Sequence, residues 1–345
     1  MTFKLEKEMG KPMPASEKIA FKKFKTHAEF VSHMKSSLVS PLLSTKGSLL
    51  HAEVNANVRK CVHAATHRPF QRPNQNLVLL EHGSHKGEQD LSCLPCRDFY
   101  LKWVHTPEPF RKKLAQLTAC QDSELWNTSR KLRLTSSVIA KVPKRSTTSP
   151  DSFLNSVLFP RFSGNRATQH GLRCEPRARA AFEARTGKHV TTCGAVVSET
   201  HHFLSASPDG LVGDHSILEI KCPLTENCME LIRTTNYDVK ESEEGRYYLA
   251  KNGKNGYYFQ VQFAMFCTEK SHCYFFVWSA AANVLVDVLY DASFICEHIH
   301  RLISFYFHNF LPRLTSAVHE GKLLLSQDYI ALKEQQNRLI RLTIS

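Results

Sequence analysis

Asp209 sits in the turn Ser207-Pro208-Asp209-Gly210, and ten residues later the chain reads Glu219-Ile220-Lys221. In a strand, side chains alternate, so Glu219 and Lys221 share one face and Ile220 takes the other. A hairpin-like return brings Asp209 beside Glu219. Two carboxylates held together repel unless a cation lies between them. A hard, oxygen-preferring ion such as Mg²⁺, which keeps several of its waters, suits such a pair. A lysine one pleat away can orient or deprotonate a metal-activated water, or steady charge developing on a phosphate. Taken alone, Asp-x9-Glu-x-Lys is also the pattern of an ordinary hairpin with a solvated Glu/Lys face, so the flanking sequence has to decide.

The elements that position these residues are legible on both sides. Residues 172–186 read as a helix stopped by Gly187, with Ala178 and Phe182 at i+3 and i+7 from Glu175. Glu175 therefore lies on or beside the buried face, where a carboxylate needs a partner and a metal is a natural one. His189–Val197 and His202–Ala206 read as strands, Ser207–Gly210 as a turn, and Ile217–Lys221 as a short strand. Residues 224–234 and 257–268 read as helices. Cys273–Ser279 and Asn283–Leu289 form an apparent strand pair, 291–317 an amphipathic helix, and 328–342 a last helix. Upstream, 108–119 reads as a short helix and 141–167 as mixed Pro, Ser and basic sequence with an apolar patch at Phe153–Phe159. The order implies an α/β (α+β) layer architecture, a central mixed β-sheet flanked by helices.

Ser207-Pro208-Asp209-Gly210-Leu211-Val212 followed by Leu218-Glu219-Ile220-Lys221-Cys222-Pro223 resembles the YqaJ viral recombinase family, relatives of phage lambda exonuclease in the PD-(D/E)XK nuclease superfamily. Gly171 to Glu175, with Ala178, Phe182-Glu183 and Thr186-Gly187, resembles that family's first acidic helix. Tyr257 through Met265, with Gln260 and Gln262, resembles its Gln-containing helix. Trp126-x3-Arg130 and Leu134-Thr135-Ser136-Ser137 resemble the elements that open the domain. The motifs keep the family's order over residues 120–320. The resemblance implies a restriction-endonuclease-like PD-(D/E)XK core and hydrolysis of DNA phosphodiesters with Mg²⁺ or Mn²⁺, as an exonuclease in recombination, repair or a mobile element. It also implies that Asp209, Glu219 and the Ile220 carbonyl hold the metal and that Glu175 completes the cluster. Lys221 would place the attacking water. Gln260 and Gln262 would lie beside the site, though on a helix two residues this close cannot share one face. Arg130 would meet a DNA phosphate, with Thr135 and Ser137 nearby. Two other readings are a DNA-binding protein with a nuclease fold and little catalysis, and a structure-specific endonuclease. The motifs leave a homo-oligomer open.

Charge supports a polyanionic partner. The whole formal excess of +13 lies in residues 1–150, with 25 Lys+Arg against 12 Asp+Glu, while 151–345 balance at 20 and 20. Residues 161–188 add a local wall of seven Lys/Arg against two Glu. Residues 1–110 form a basic N-terminal region, either partly disordered or a degenerate zinc-binding module, and 321–345 a C-terminal helical extension. Cys93-x2-Cys96 has the spacing of half a zinc site, and Cys61-x-His63 could supply the other half. Relatives often carry an upstream SWIM-type finger with Cys-x-Cys before Cys-x-His. No Cys-x-Cys is present here, so that module reads as missing or truncated. Several of the 11 cysteines sit singly in apolar runs and read as small buried hydrophobes of a reducing compartment. No stretch reaches the roughly 18 apolar residues of a membrane span, and no signal peptide opens the chain. The expected location is inside the cell, nucleus or cytoplasm.

Overall fold

The computed structural model describes residues 80, 82–83, 91–145, 147–160 and 166–344. The first described helix, α1 (Leu94–Phe99), runs on as a π-helical turn through Val104, and α2 (Phe110–Leu117) follows. α3 (Glu124–Lys131) begins where the Ser123 hydroxyl accepts the Trp126 N–H, satisfying one of the donors a helix start leaves open. A two-residue strand β1 (Leu134–Thr135) leads into α4 (Ser136–Ile139). The apolar patch near Phe153 becomes α5 (Asp151–Leu158). α6 (Arg166–Thr186) extends N-terminally of the expected 172–186, passes through Pro176, and stops at Gly187, whose φ of 66° suits a residue without a Cβ.

His189–Val197 is not one strand. It is strand only at β2 (Val196–Val197), with a lone bridge from Thr191 to Leu211. The reason lies in Gly194. A Cβ there would meet the Thr118 hydroxyl, and Ala195 gives its N–H to Thr118 Oγ1 at 2.8 Å instead of to a neighbouring strand. Then come β3 (Leu204–Ala206), β4 (Gly210–Val212) and β5 (Ser216–Lys221). α7 (Cys228–Thr234) starts at the capping Asn227, later than expected. The hairpin β6 (Val239–Glu241) and β7 (Tyr247–Leu249) fills a stretch without a clear period in the sequence. α8 (Tyr257–Thr268), β8 (His272–Trp278) and β9 (Asn283–Leu289) fall where expected. The predicted helix 291–317 is broken into α9 (Ala292–Phe305), a π-helical turn at Tyr306–Phe310, and α10 (Leu311–His319). Pro312 lacks the N–H that would continue the ladder. α11 (Gln327–Ile344) closes the series.

Two compact units result. One contains Pro107–Lys113 and Ser326–Ser345; in it Lys333 is buried and its ammonium bonds Gln336 Oε1 at 3.0 Å. The other holds the described residues of 80–106 and 114–325, and with them every strand among the described residues. Residues 91–106, expected to end a separate N-terminal region, are part of this second unit because Tyr100 packs its ring on Tyr306 and Phe307 at 6.4 and 5.4 Å. Residues 1–79, with Cys61 and His63, lie outside the described residues.

The main sheet runs β4-β5-β8-β9, mixed as expected: β5 and β8 are parallel, and the outer pairings are antiparallel. α6 covers one face, where Ala178 and Phe182 meet Leu218, Ile220, Phe276 and Trp278. The other face meets α8, on which eight of twelve residues are buried. A small sheet, β1-β3-β2, also packs against α8. No described helix is long and apolar enough to cross a membrane.

Phe182 is fully buried between α6 and the strands, with Tyr274 and Phe276 rings 5.4 and 5.7 Å away. Phe182→Ala is expected to lower the unfolding free energy by about 3–5 kcal/mol in urea titration. A loss below about 1 kcal/mol would mean that α6 is not docked on the sheet as described.

Candidate active site

The register of β4 on β5 pairs Gly210 with Leu218, which sets Asp209 level with Glu219. β4 pairing ends there, and the Asp209 carboxylate takes over: Oδ2 accepts the Ile220 N–H at 2.6 Å. The N–H and C=O of one strand residue point to the same side, so the Ile220 carbonyl shares the edge that faces Asp209. Leu218 and Ile220 point into the α6 face, leaving Glu219 and Lys221 on the other. The alternation read from the sequence therefore holds.

Glu219 is 3% exposed. A buried carboxylate is costly unless paired and hydrogen-bonded. Its Oε1 accepts from the Lys221 ammonium at 2.6 Å and from the Gln260 amide. Gln260 Oε1 in turn accepts from Lys221 at 3.3 Å, closing a three-way link between β5 and α8. The Tyr257 ring lies 4.9 Å from the same ammonium. Burial works against the charged lysine, but Glu219 and Asp209 outweigh it and hold Lys221 above its ordinary range. Burial and the Glu219 charge push Asp209 well above the usual carboxylate range, Lys221 opposing.

Glu175 joins the cluster through a residue that the sequence reading missed. Arg179, one turn along α6, bonds Glu175 Oε1 at 2.6 Å and the Asp209 carbonyl at 3.1 Å. The i,i+4 spacing of Glu175 and Arg179 was the available signal. Burial raises the Glu175 pKa, with Arg179 pulling it back and Glu219 adding to the rise. Gln121, also missed, holds the turn before Asp209 by donating to the Cys193 and Pro208 carbonyls at 2.8 and 2.9 Å.

Gln262 is a correction. It was expected beside the site together with Gln260, and it is instead fully buried on another side of α8. Its amide donates to the Leu289 carbonyl at 2.8 Å and accepts the Asp291 N–H at 2.8 Å, latching α8 to the end of β9.

Arg130, Thr135 and Ser137 are brought together. The Arg130 guanidinium lies 4.4 Å from the Trp126 ring and donates to Ser137 Oγ at 3.2 Å, and Thr135 Oγ1 is 3.1 Å from the same hydroxyl. Burial lowers Arg130 to about 10, while the nearby Glu219 holds it up. Trp126 donates to Ser207 Oγ at 3.0 Å, tying this group to the turn that carries Asp209. Beyond Ser137 and Gln260, a cavity of about 500 Å³ is lined by Lys141, Lys144, Lys251 and Lys254. Cys222 is half-buried and packs on the α6 core. Cys93 and Cys96 lie elsewhere, near His82.

The donor set suits a hard divalent cation. Asp209, Glu219 and Glu175 each use one carboxylate oxygen in the bonds above, and among the described residues the second oxygen of each takes no hydrogen bond. These oxygens, with the Ile220 carbonyl, are the ligand type that Mg²⁺ or Mn²⁺ prefers.

Residues 125–271 match the family model of the YqaJ-like viral recombinase domain. The span includes every site residue named from Arg130 to Gln262, as the motif resemblance implied. Among solved structures the chain is similar to LHK-Exo, crystallised with dAMP, at 28% identity and TM-score 0.45, over 58% of this chain and 98% of that one. A second structure, of an alkaline exonuclease (LHK-Exo) from Laribacter hongkongensis, matches at 25% identity and TM-score 0.41, over 64% and 100%. A phage-related exonuclease from Haemophilus somnus matches at 16% identity and TM-score 0.38, over 56% and 99%. No curated protein matches the chain.

The two glutamines should separate cleanly. Gln262→Leu strands the Leu289 carbonyl and the Asp291 N–H, and is expected to cost about 2 kcal/mol of stability while leaving Mn²⁺-induced stabilisation intact. Gln260→Leu takes a donor from the buried Glu219 carboxylate, so it should also cost stability, and unlike Gln262→Leu it should weaken the Mn²⁺ response as well. Melts with and without Mn²⁺ read both effects, and equal loss of the Mn²⁺ response in the two variants would return Gln262 to the site.

Proposed function

We propose that this YqaJ-like recombinase domain is a Mg²⁺- or Mn²⁺-dependent deoxyribonuclease that hydrolyses DNA phosphodiesters, acting as an exonuclease in recombination. The observation that carries the reading is the buried Glu219 carboxylate with the half-buried Asp209 carboxylate beside it at one strand edge, and Lys221 held between Glu219 and Gln260. Such a cluster is expensive to keep and has an evident use in metal-assisted hydrolysis.

Asp209, Glu219, Glu175 and the Ile220 carbonyl would hold the ion. When bound, it supplies an acidified water and offsets charge developing on the phosphate. Lys221 is the group of this chain that can orient the attacking water or take a hydrogen bond's share of that charge; its position is fixed by Glu219 Oε1 and Gln260 Oε1. Arg179 keeps Glu175 and the Asp209 backbone in one frame, so the carboxylates need not reorganise during the reaction. Arg130, over the Trp126 ring and bonded to Ser137, would grip a phosphate, for which a guanidinium is well shaped. The four lysines around the adjoining cavity extend positive charge away from the centre, as a DNA backbone requires.

The test is degradation of linear double-stranded DNA with Mg²⁺, beside Glu219→Ala and Lys221→Ala and an EDTA control. Each variant is expected to lose on the order of 100-fold or more in rate, and EDTA to abolish it. Covalently closed circles should survive; their cleavage would replace the exonuclease reading with an endonuclease. A wild-type protein that binds DNA yet cuts no form of it with either metal would leave a binding module.

A further inference from the structure

Three side chains that the nuclease centre does not use converge at the start of α1. His82 Nδ1 lies 3.2 Å from Cys96 Sγ and 3.8 Å from Cys93 Sγ. The ligand atoms of all three fall within 4.8 Å of one another. Both sulfurs are free thiols, and both are buried. Cys93 caps α1 and Cys96 sits one turn in, so the helix start itself holds the two sulfurs at chelating distance.

We propose that His82, Cys93 and Cys96 form a zinc-binding site, separate from the nuclease centre and serving to brace the fold. The distances support it. Zn–S bonds of about 2.3 Å and Zn–N bonds of about 2.0–2.1 Å in a tetrahedron put nitrogen and sulfur about 3.5 Å apart. The two observed separations bracket that value. A cation between the nitrogen and the two sulfurs accounts for both contacts. One ring nitrogen approaching two sulfurs is also the geometry of a shared hydrogen bond, and the metal content measured below separates the two.

The surroundings fit as well. His82 Nε2 lies 2.6 Å from the Ser316 hydroxyl, which fixes the ring and leaves Nδ1 for the metal, the usual arrangement for a ligating histidine. The Thr315 hydroxyl, 4% exposed, faces the Cys96 sulfur and has no hydrogen-bond partner at ordinary distance. A metal-bound thiolate is an acceptor that would use it. Soft thiolates with one imidazole select zinc over the hard ions that suit the carboxylate cluster. Among the described residues three donors converge, which leaves one tetrahedral position open. Because Ser316 and Thr315 belong to α10, the ion would join residues 82–83 and the start of α1 to that helix.

The test uses the full chain, expressed with zinc and purified without chelator, with metal content measured by mass spectrometry. Roughly one zinc per chain is expected in the wild type. It should fall to background in His82→Ala and in the double variant Cys93→Ser, Cys96→Ser, and stay in the double variant Asp209→Ala, Glu219→Ala. Cobalt added to metal-stripped wild type should give a thiolate-to-metal charge-transfer band, a readout that does not depend on the variants folding. A wild type with neither zinc nor the band overturns the proposal. So does zinc that persists without His82 and both cysteines, or that leaves with the Asp209 and Glu219 carboxylates.

Discussion

A glutamate closed off from water must be matched by charge and hydrogen bonds from its own chain, and Glu219 sets that demand at the centre of the fold. Lys221 answers from the same strand face and Gln260 from across the layer boundary. Asp209 cannot drift away, because its other duty is to satisfy the Ile220 N–H where β4 has run out. One buried carboxylate therefore fixes strand register, the docking of α8 and the rotamer of a lysine together. Removing any one partner leaves the others with unmet polar groups in a low-dielectric interior. The site is held by the same bonds that hold the sheet to its helix.

What could be read from sequence follows from how regular each element is. The period of two in Glu219-Ile220-Lys221 needs no tertiary knowledge, and it placed the two charged residues on one face and Ile220 on the other. Helix α6 was readable from Ala178, Phe182 and Gly187, and Glu175 came with it. Gln262 went wrong because α8 is apolar on nearly every side, so its sequence does not show which face meets the sheet. Helical geometry allowed only one of the two glutamines at the centre, and only the packing showed that Gln262 spends both its hydrogen-bonding groups on the end of β9. His189–Val197 failed for a different reason: strand-like composition was overridden by Thr118 taking the Ala195 N–H. His82 was out of reach, since no spacing rule links it to a Cys pair that begins eleven residues later.

The group around Arg130 shows how separate motifs become one surface. Trp126 and Arg130 stack because they lie one turn apart on α3. The indole N–H then reaches Ser207, in the turn that delivers Asp209. A shift of α3 would move the Arg130 cation and the carboxylate turn together, so the distance between that cation and Asp209 is carried by a single aromatic side chain.

Glu219 and Gln260 touch across 41 residues of sequence, the span that contains α7, the β6–β7 hairpin and most of the crossover between parallel β5 and β8. Parallel pairing requires that crossover to close before any of its contacts can form. A nascent chain ending before α8 would carry Glu175, Asp209, Glu219 and Lys221, yet would lack the amide that bridges glutamate and lysine. The carboxylate, lysine and amide cluster is thus completed late in synthesis, when α8 docks. A polypeptide interrupted before α8 carries the carboxylates without the amide that ties the glutamate to the lysine, so the cluster has no half-built form with its full set of bonds.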